Sequence, residues 1–351
     1  MQRYPVILLF VIMLLSPLSG MAAQVGVVSG IKGTVQIRLT AKGPLTPLKK
    51  GADVSEGQRI VTGADGWAEL TLNDKSIFTL AHNTDFEVTS FLLSSEKREG
   101  NFSMTQGKLR ASVVKLAGRQ SDMTVKSGTV VAGVKGTEFM MMSQGEANVL
   151  FGNEGTVAVS GDGSGIGQPL TAGTMTENTR GMTPVEPLAV EPGSPVAEAR
   201  DIMLKVTSAT PPADWVDSGR IGDIIARWNI NYGHYLADAG KYAEAQHVFQ
   251  IALDLSRVAG IRCDAHMERG AVYSRFLSKP ALALEEYRRL LDEYPDSPQA
   301  ETALYISGQL FSELGSIEEA KSRFRQYLKR YPEGRHAGNA ETLLMRLESY
   351  R

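Results

Sequence analysis

The chain has 351 residues, more than one compact core commonly holds, so two or three domains are expected. Hydrophobic residues make up 42% of it and charged residues 22%, a balance that excludes disorder over the whole chain. The 37 Lys and Arg residues nearly balance the 39 Asp and Glu residues, which gives a net charge of −2. That balance excludes a general electrostatic attraction to nucleic acid or to an anionic membrane.

The N-terminus has the organisation of a secretory signal peptide. Arg3 supplies positive charge, residues 6–15 are all apolar, and Ala22 and Ala23 offer small side chains to a signal peptidase. The apolar run is shorter than the roughly 20 residues that a membrane-spanning helix needs. We therefore predict a signal peptide over 1–23, cleaved near Ala23, with cleavage at Ala22 or an uncleaved anchor as the alternatives. No transmembrane segment is expected after cleavage.

Residues 24–188 are predicted to form a β-rich domain. Apolar and polar residues alternate in WAELTL at 67–72 and in SIFTL at 76–80, the pattern of strands with one buried face. Turn-forming residues separate these short runs, as in TGADG at 62–66. Many short strands at close spacing favour a sandwich, a roll or a short solenoid of mostly antiparallel sheet.

A proline-rich linker is predicted over 189–217. Residues 168–174 could form a last strand, and four prolines between 184 and 195 then make continued sheet or helix improbable. Within the linker, residues 195–206 are predicted to form a short helix.

Residues 218–351 have helical periodicity and contain an internal repeat. Each unit has a glycine, an alanine and, four residues after the alanine, an aromatic residue: Gly233, Gly270 and Gly308; Ala245, Ala283 and Ala320; Phe249, Tyr287 and Phe324. A helix pair cannot bury both of its faces alone, so such pairs stack on a shared core. The glycine should let the second helix approach, the alanine should lie at the crossing, and the aromatic should fill the space between neighbouring pairs.

These units resemble the tetratricopeptide repeat (TPR), in the variant found in outer-membrane assembly lipoproteins and the periplasmic coordinator of cell division. YPDSPQA at 294–300, GSIEEA at 315–320 and YP at 331–332 carry the resemblance. It covers about 220–336 and implies an all-α array of three units, with 337–351 as a capping helix. The second unit departs from the pattern, since LSKP at 277–280 replaces the usual turn glycine.

The resemblance also implies a partner-binding surface, because such arrays bind peptides or proteins on the concave face of their first helices. The corresponding residues of this chain are Arg227, Ile230, His234 and Asp238 in unit one, Asp264, Met267, Ser274 and Arg275 in unit two, and Thr302, Tyr305, Gln309 and Glu313 in unit three. Their mixed charges argue against a purely acidic or purely basic partner. The alternative is that single positions are only solvated or lie between domains.

The β region resembles the FecR domain of bacterial envelope and signalling proteins. The resemblance runs over about 27–175 and is carried by GIKGTV at 30–35, LKKGADV at 48–54, GQRIVTG at 57–63, QGKL at 106–109, VKGTEF at 134–139 and NEGTV at 153–157. In sigma-regulatory members an anti-sigma segment and a membrane span precede this domain. Here a signal peptide takes their place, which argues against an anti-sigma role.

No catalytic or metal-binding pattern stands out. The single cysteine, Cys263, is expected to be a buried helix residue, and FMMM at 139–142 is expected to be a core strand. His234 and His266 could approach one another on adjacent helices, but two imidazoles without a carboxylate pattern are weak evidence for zinc. We expect no enzyme activity, no metal and no cofactor.

We therefore predict a periplasmic, non-enzymatic scaffold in which the helical array binds an envelope protein and the FecR domain senses or binds a second ligand. The alternative is a carbohydrate- or peptidoglycan-binding envelope protein that uses the array as a spacer. An enzyme with its site at the domain junction is a third possibility.

Overall fold

A computed structural model describes residues 23–162, 167–208 and 220–349. Within these ranges a β-rich region precedes eight helices, which confirms the expected β + α architecture. All but the last residue of the predicted signal peptide lies outside the described residues, as does the part of the predicted linker from 209 to 217.

The β region contains seventeen described strands. They are β1 (Gln24–Lys32), β2 (Val35–Arg38), β3 (Leu45–Pro47), β4 (Asp53–Ser55), β5 (Arg59–Thr62), β6 (Trp67–Leu72), β7 (Ile77–Leu80), β8 (Asp85–Leu93), β9 (Lys97–Ser112), β10 (Gln120–Lys126), β11 (Val130–Val134), β12 (Glu138–Gln144), β13 (Ala147–Glu154), β14 (Thr156–Gly161), β15 (Gly167–Thr171), β16 (Thr174–Thr179) and β17 (Leu188–Ala189).

The strands form two sheets that share β9. Sheet A has the order β4-β1-β6-β7-β9-β12-β13-β16-β17. Sheet B has the order β3-β2-β5-β8-β9-β10-β11-β14-β15, and its β9–β10 pair is the one parallel pair among the described strands. The chain passes from sheet B to sheet A at Gly107, whose φ of 117° favours glycine. A Cβ there would lie 2.3 Å from the Cα of Thr84.

The space between the two sheets holds the core of the β domain. Phe78 of sheet A packs against Phe102 of sheet B with ring centroids 4.6 Å apart, and Phe86 of sheet B lies 5.8 Å from Phe78. These rings belong to one continuous cluster of buried residues from both sheets. Of the alternatives that the sequence left open, the structure is therefore a two-layer sandwich.

One ion pair inside this sandwich is wholly buried. Arg98 of β9 donates from Nη1 to Oδ2 of Asp74 at 2.6 Å, and both side chains have 0% exposure. Arg98 also donates to Ser121 and to the carbonyl of Val114, while Asp74 accepts from Ser76. The pair is therefore hydrogen-bonded as well as neutralised, which a buried charge requires.

The helices add a third layer on the outer face of sheet A. Along β12, Phe139 and Met141 point into the sandwich, whereas Met140 and Met142 point towards the helices. Phe151 of β13 and Met175 of β16 join the helical side. The apolar run at 139–142 is a core strand, as expected, and it is buried on both faces because two different layers cover it.

Eight helices follow among the described residues. They are α1 (Pro195–Val206), α2 (Arg220–Asp238), α3 (Tyr242–Leu255), α4 (Ala259–Arg275), α5 (Pro280–Glu293), α6 (Pro298–Glu313), α7 (Ile317–Arg330) and α8 (Ala337–Ser349). The pairs α2/α3, α4/α5 and α6/α7 form units one, two and three, and α8 packs on α7. Helix α1 occupies the span predicted for a short helix, begins at the N-cap Ser194, and packs in the junction core rather than serving only as a connection.

The repeated glycines and aromatics contact one another within each unit. A Cβ added at Gly233, Gly270 or Gly308 would lie 2.3, 2.4 or 2.7 Å from the aromatic ring on the second helix of the same unit, respectively. The glycine thus makes room for a ring, as the expected close approach requires. That the aromatic also fills the space between neighbouring pairs stays a prediction, and Tyr287 does share a buried cluster with Ala300 and Ala303 of unit three.

Unit two turns between its helices without a glycine. Gly240 and Gly315 have φ values of 77° and 74° in units one and three, and Ser278 has a φ of 51° at the equivalent turn. A serine therefore adopts the left-handed conformation that glycine adopts elsewhere in the array.

The β domain extends beyond the strand predicted at 168–174. Strands β16 and β17 follow β15 and pair with sheet A. Residues 176–179 of β16 are polar but buried, and hydrogen bonds satisfy several of them: Thr176 donates to the Val185 carbonyl at 2.6 Å, and Asn178 donates to the Thr129 carbonyl at 2.8 Å. This strand was not predicted, because its sequence is polar and the groups that bond to its side chains lie elsewhere in the chain.

Candidate functional site

The first helices of the three units, α2, α4 and α6, lie side by side and present the predicted partner-binding residues. We call the surface that these residues form the first-helix face. Five of them are exposed: Arg227, His234, Asp238, Arg275 and Glu313. Five more are partly exposed: Asp264, Met267, Ser274, Thr302 and Gln309. Ten of the twelve predicted positions therefore reach the surface on this side of the array.

The structure corrects the other two positions, which belong to the core. Ile230 is buried among the residues that join unit one to the β domain. Tyr305 is buried in unit three, where its ring stacks on the imidazole of His336 with centroids 4.3 Å apart. Neither side chain can add much contact area to the first-helix face.

Polar contacts tie neighbouring units together along the first-helix face. Arg227 of α2 forms an ion pair with Asp264 of α4, and Gln299 of α6 donates from Nε2 to the other carboxylate oxygen of Asp264 at 2.7 Å. Asp264 therefore connects all three units. Exposed ion pairs contribute little stability individually. The shared carboxylate of Asp264 nevertheless restricts the conformations of Arg227 and Gln299, which a partner would contact.

A second contact crosses the first-helix face between units one and two. Nδ1 of His234 lies 3.4 Å from Oε2 of Glu268. Burial raises the pKa of Glu268, and the charges of His234 and Arg275 oppose that shift. The contact links units one and two at a second position of the face.

The two histidines considered for zinc have different surroundings. His234 is exposed beside Glu268, whereas His266 is buried with Nδ1 2.7 Å from Oε2 of Glu286. Across residues 23–162, 167–208 and 220–349, no group of three or more His, Cys, Asp and Glu side chains could hold a metal ion.

A buried polar network behind the first-helix face was not predicted from the sequence. Arg269 of α4 contacts Glu286 of α5 at 3.3 Å and donates to Gln246 and Gln250 of α3. Glu286 also contacts His266. The network fixes the register of three helices from two units. The only sequence signal for it is the presence of charged residues on the apolar side of α4 and α5.

Three further polar contacts fasten unit one to the β domain. Asp254 of α3 accepts from Arg180 at 2.8 Å and from Thr179 at 2.7 Å. Burial alone would raise the pKa of Asp254, but these hydrogen bonds and the charge of Arg180 outweigh burial and lower it. Gln144 of β12 donates to the Leu255 carbonyl. The array therefore has a fixed attachment at one end.

Comparison with protein-family models finds two families. The FecR protein family matches residues 58–158, and the tetratricopeptide repeat matches residues 264–297 and 302–334. The first match lies within the sandwich, and the second falls on units two and three. No curated protein sequence matches the chain significantly.

Several solved structures show partial likeness. A candidate anti-sigma factor from Parabacteroides distasonis ATCC 8503 has 15% identity and a TM-score of 0.34, over 42% of this chain and 64% of its own. The Hsp90 co-chaperone Cns1 from Saccharomyces cerevisiae has 22% identity and a TM-score of 0.33, over 36% of this chain and 40% of its own. PcrH from Pseudomonas aeruginosa has 18% identity and a TM-score of 0.31, over 35% of this chain and 91% of its own.

All three TM-scores are below 0.5. The family matches rest on the sequence itself and agree with the two architectures seen in the structure. The chain therefore contains a FecR domain at 58–158 and tetratricopeptide repeats at 264–297 and 302–334.

Proposed function

We propose that this chain is a non-enzymatic scaffold of the bacterial periplasm, exported by a signal peptide that is cleaved near Ala23. The first-helix face binds an envelope protein, and the FecR domain senses or binds a second ligand. FecR and TPR domains are regulatory or protein-binding families without catalytic activity, which supports this role. Among the described helices, none is long and apolar enough to cross a membrane.

One observation carries the proposal. The β domain packs against α3 and one side of α2, through residues such as Asn229 and Asp254, and leaves the first-helix face exposed in all three units. Polar contacts across this face hold the three units in a defined arrangement. A prearranged, uncovered surface of mixed charge suits a protein partner, since less side-chain freedom is lost on binding.

Site-specific photocrosslinking in living cells tests the proposed face. A photoreactive residue at Arg275, on the first-helix face, should give a defined adduct with an envelope protein. The matched control is Arg288, another exposed arginine, which lies on α5 and pairs with Glu285 and Asp292 on its own helix. The proposal fails if Arg275 gives no adduct, or if Arg288 gives the same adduct.

Binding to cell-wall sacculi distinguishes this proposal from the alternative, a peptidoglycan-binding protein that uses the helical array as a spacer. Under that alternative the full chain sediments with purified sacculi, and a charge reversal at Arg275 has no effect. Removing 218–351 is not a clean test, because it would uncover Met140, Met142 and Phe151 of sheet A. Export itself is tested by the mass of the mature protein from periplasmic extracts, which should begin at Gln24.

A further inference from the structure

A cleft of about 600 Å³ lies where the β domain meets unit one. One wall is the segment 182–186 that precedes β17, and the other is the first half of α3. Its described lining residues are Gln168, Met182, Thr183, Pro184, Val185, Glu186, Ala243, Glu244 and His247. The cleft lies outside the first-helix face, and domain junctions are frequent positions for ligand sites.

Carboxylates from both domains converge on this cleft. Glu186 and Glu244 are exposed and stand on opposite walls. Burial, and after it the charges of Glu244, Glu177 and Glu186, raise the pKa of Tyr232 on α2. Three carboxyl groups therefore lie near one phenol. Glu244 pairs with Lys241, whose Nζ is 3.3 Å away, in an exposed ion pair that a ligand could readily displace.

One residue that lines the cleft has a buried polar atom without a partner among the described residues. His247 is 9% exposed and lines the cavity, and its Nε2 forms no hydrogen bond with any described residue. Burial lowers the pKa of His247 to about 4, so its imidazole is neutral near pH 7. A neutral imidazole has one nitrogen that accepts a hydrogen bond. Buried polar atoms in native proteins nearly always have a partner, so Nε2 of His247 is available to a ligand or to a water molecule.

An aromatic stack begins beside the cleft. Trp228, Tyr232 and Tyr235 follow one side of α2 with parallel rings, at centroid distances of 4.8 and 6.2 Å. Tyr232 is the ring near the cleft carboxylates, and Tyr235 is 66% exposed. Aromatic rings attract cations as well as apolar chains. The stack therefore extends a surface that favours positively charged groups.

We propose that this junction cleft binds a peptide segment with lysine side chains, one ammonium group of which lies between Glu186 and Glu244 and donates to His247. An ammonium group has three donors and no acceptor, which matches two carboxylates and one neutral imidazole nitrogen. The apolar stem of lysine would lie along Pro184 and Val185. The site takes a basic segment, in contrast to the mixed charge of the first-helix face.

Fluorescence anisotropy with the full chain and a labelled octalysine peptide tests this proposal. Octalysine should bind, and an octaglutamate peptide of equal length should not. The double variant Glu186→Gln/Glu244→Gln, at two exposed positions, should weaken octalysine binding at least tenfold. The matched control Glu333→Gln/Glu341→Gln removes two exposed carboxylates near the far end of the array and should change binding less than twofold.

The imidazole signals of the five histidines provide a second measurement that does not depend on a variant. In the ¹⁵N spectrum of histidine-labelled protein, octalysine should shift the His247 Nε2 signal more than that of any other histidine. Equal loss of binding in both double variants, an unmoved His247 signal, or binding of spermidine but not of octalysine would each overturn the proposal. These outcomes leave the first-helix face untested and so do not decide the proposed function.

Discussion

Asn229 of α2 donates a hydrogen bond from Nδ2 to Oε2 of Glu177 in β16, 3.1 Å away, and both side chains are buried at the junction of the two domains. The remaining oxygens, Oε1 of Glu177 and Oδ1 of Asn229, have no hydrogen-bond partner among the described residues. Protonation would neutralise the buried carboxyl of Glu177 and turn one of its oxygens into a donor. Burial raises the pKa of Glu177 to about 8, which agrees with a neutral acid at this position.

This pair predicts that the stability of the protein falls as pH rises. In the unfolded chain Glu177 ionises near the ordinary glutamate pKa of 4.5, whereas in the folded chain it keeps its proton until about pH 8. Its contribution is therefore complete below about pH 4.5 and is lost progressively towards pH 8, by on the order of a few kcal/mol. Glu177→Gln should flatten this dependence and unfold at higher urea concentration than the wild type at pH 8.

The exposed Glu186 supplies the control for this prediction. Glu186→Gln removes a carboxyl from the segment beside β16 and should leave the slope of stability against pH unchanged. Urea unfolding at pH 5, 6.5 and 8 measures all three proteins. A Glu177→Gln variant that retained the wild-type slope would contradict the protonated pair.

The Asp74–Arg98 pair predicts a large loss of stability on truncation. Asp74→Ala would leave the guanidinium of Arg98 buried without its counter-charge, at a cost of about 3–5 kcal/mol in unfolding free energy. The neighbouring Lys97–Glu99 pair is half exposed, so Glu99→Ala should cost less than about 1 kcal/mol. Chemical denaturation of the full chain measures both. Similar losses of unfolding free energy in the two variants would show that burial of an ion pair does not determine the cost of breaking it.

The glycine–aromatic contacts predict opposite effects for two Gly→Ala substitutions. At Gly270 the new methyl group would lie 2.4 Å from the ring of Tyr287, and overpacking of this kind costs about 1–3 kcal/mol. At Gly338 in α8 a Cβ meets nothing within 4 Å, so the higher helix propensity of alanine should add about 0.5–1 kcal/mol. Thermal unfolding should therefore move in opposite directions. A stabilised Gly270→Ala would refute the proposed role of the contact.

Two adjacent residues of β13 predict which part of the fold opens first on mutation: the core between the sheets or the core between sheet A and the helices. Leu150 points into the sandwich and Phe151 towards the helices. Each change to alanine should cost about 2–5 kcal/mol, but at different places. In hydrogen exchange, Phe151→Ala should expose the amides of α2 and α3 first, and Leu150→Ala those of both sheets. Identical exchange patterns would mean that the layers open as one unit.

The repeat units were predictable because their determinants are local. The glycine, alanine and aromatic of each unit lie within two adjoining helices, so their spacing indicates the helix pair directly. Whether a given side chain is buried or exposed was harder to predict. The repeat position placed Tyr305 on the first-helix face, but His336, which follows unit three, covers its ring. Ile230 is likewise covered by the β domain, about which the spacing of the helices carries no information.

The junction between the domains was not predictable for a related reason. Residues 139–142 were correctly interpreted as a core strand, but an apolar run does not reveal what covers each of its faces. Glu177 lies in a polar segment, and the asparagine that makes its burial tolerable is 52 residues away in a different domain. A contact of that separation leaves no local pattern in a single sequence.

The position of β9 has a consequence for dividing the chain. In both sheets β9 is the middle strand, with strands that precede it in the chain on one side and strands that follow it on the other. The sandwich thus consists of two chain halves joined along one strand. If the chain were divided into two fragments beside β9, only one fragment would carry this strand. The two fragments could reassemble only by pairing along it. The fragment without β9 would expose, in each sheet, the strand edge that β9 normally covers. Such an open edge pairs with foreign strands and promotes aggregation.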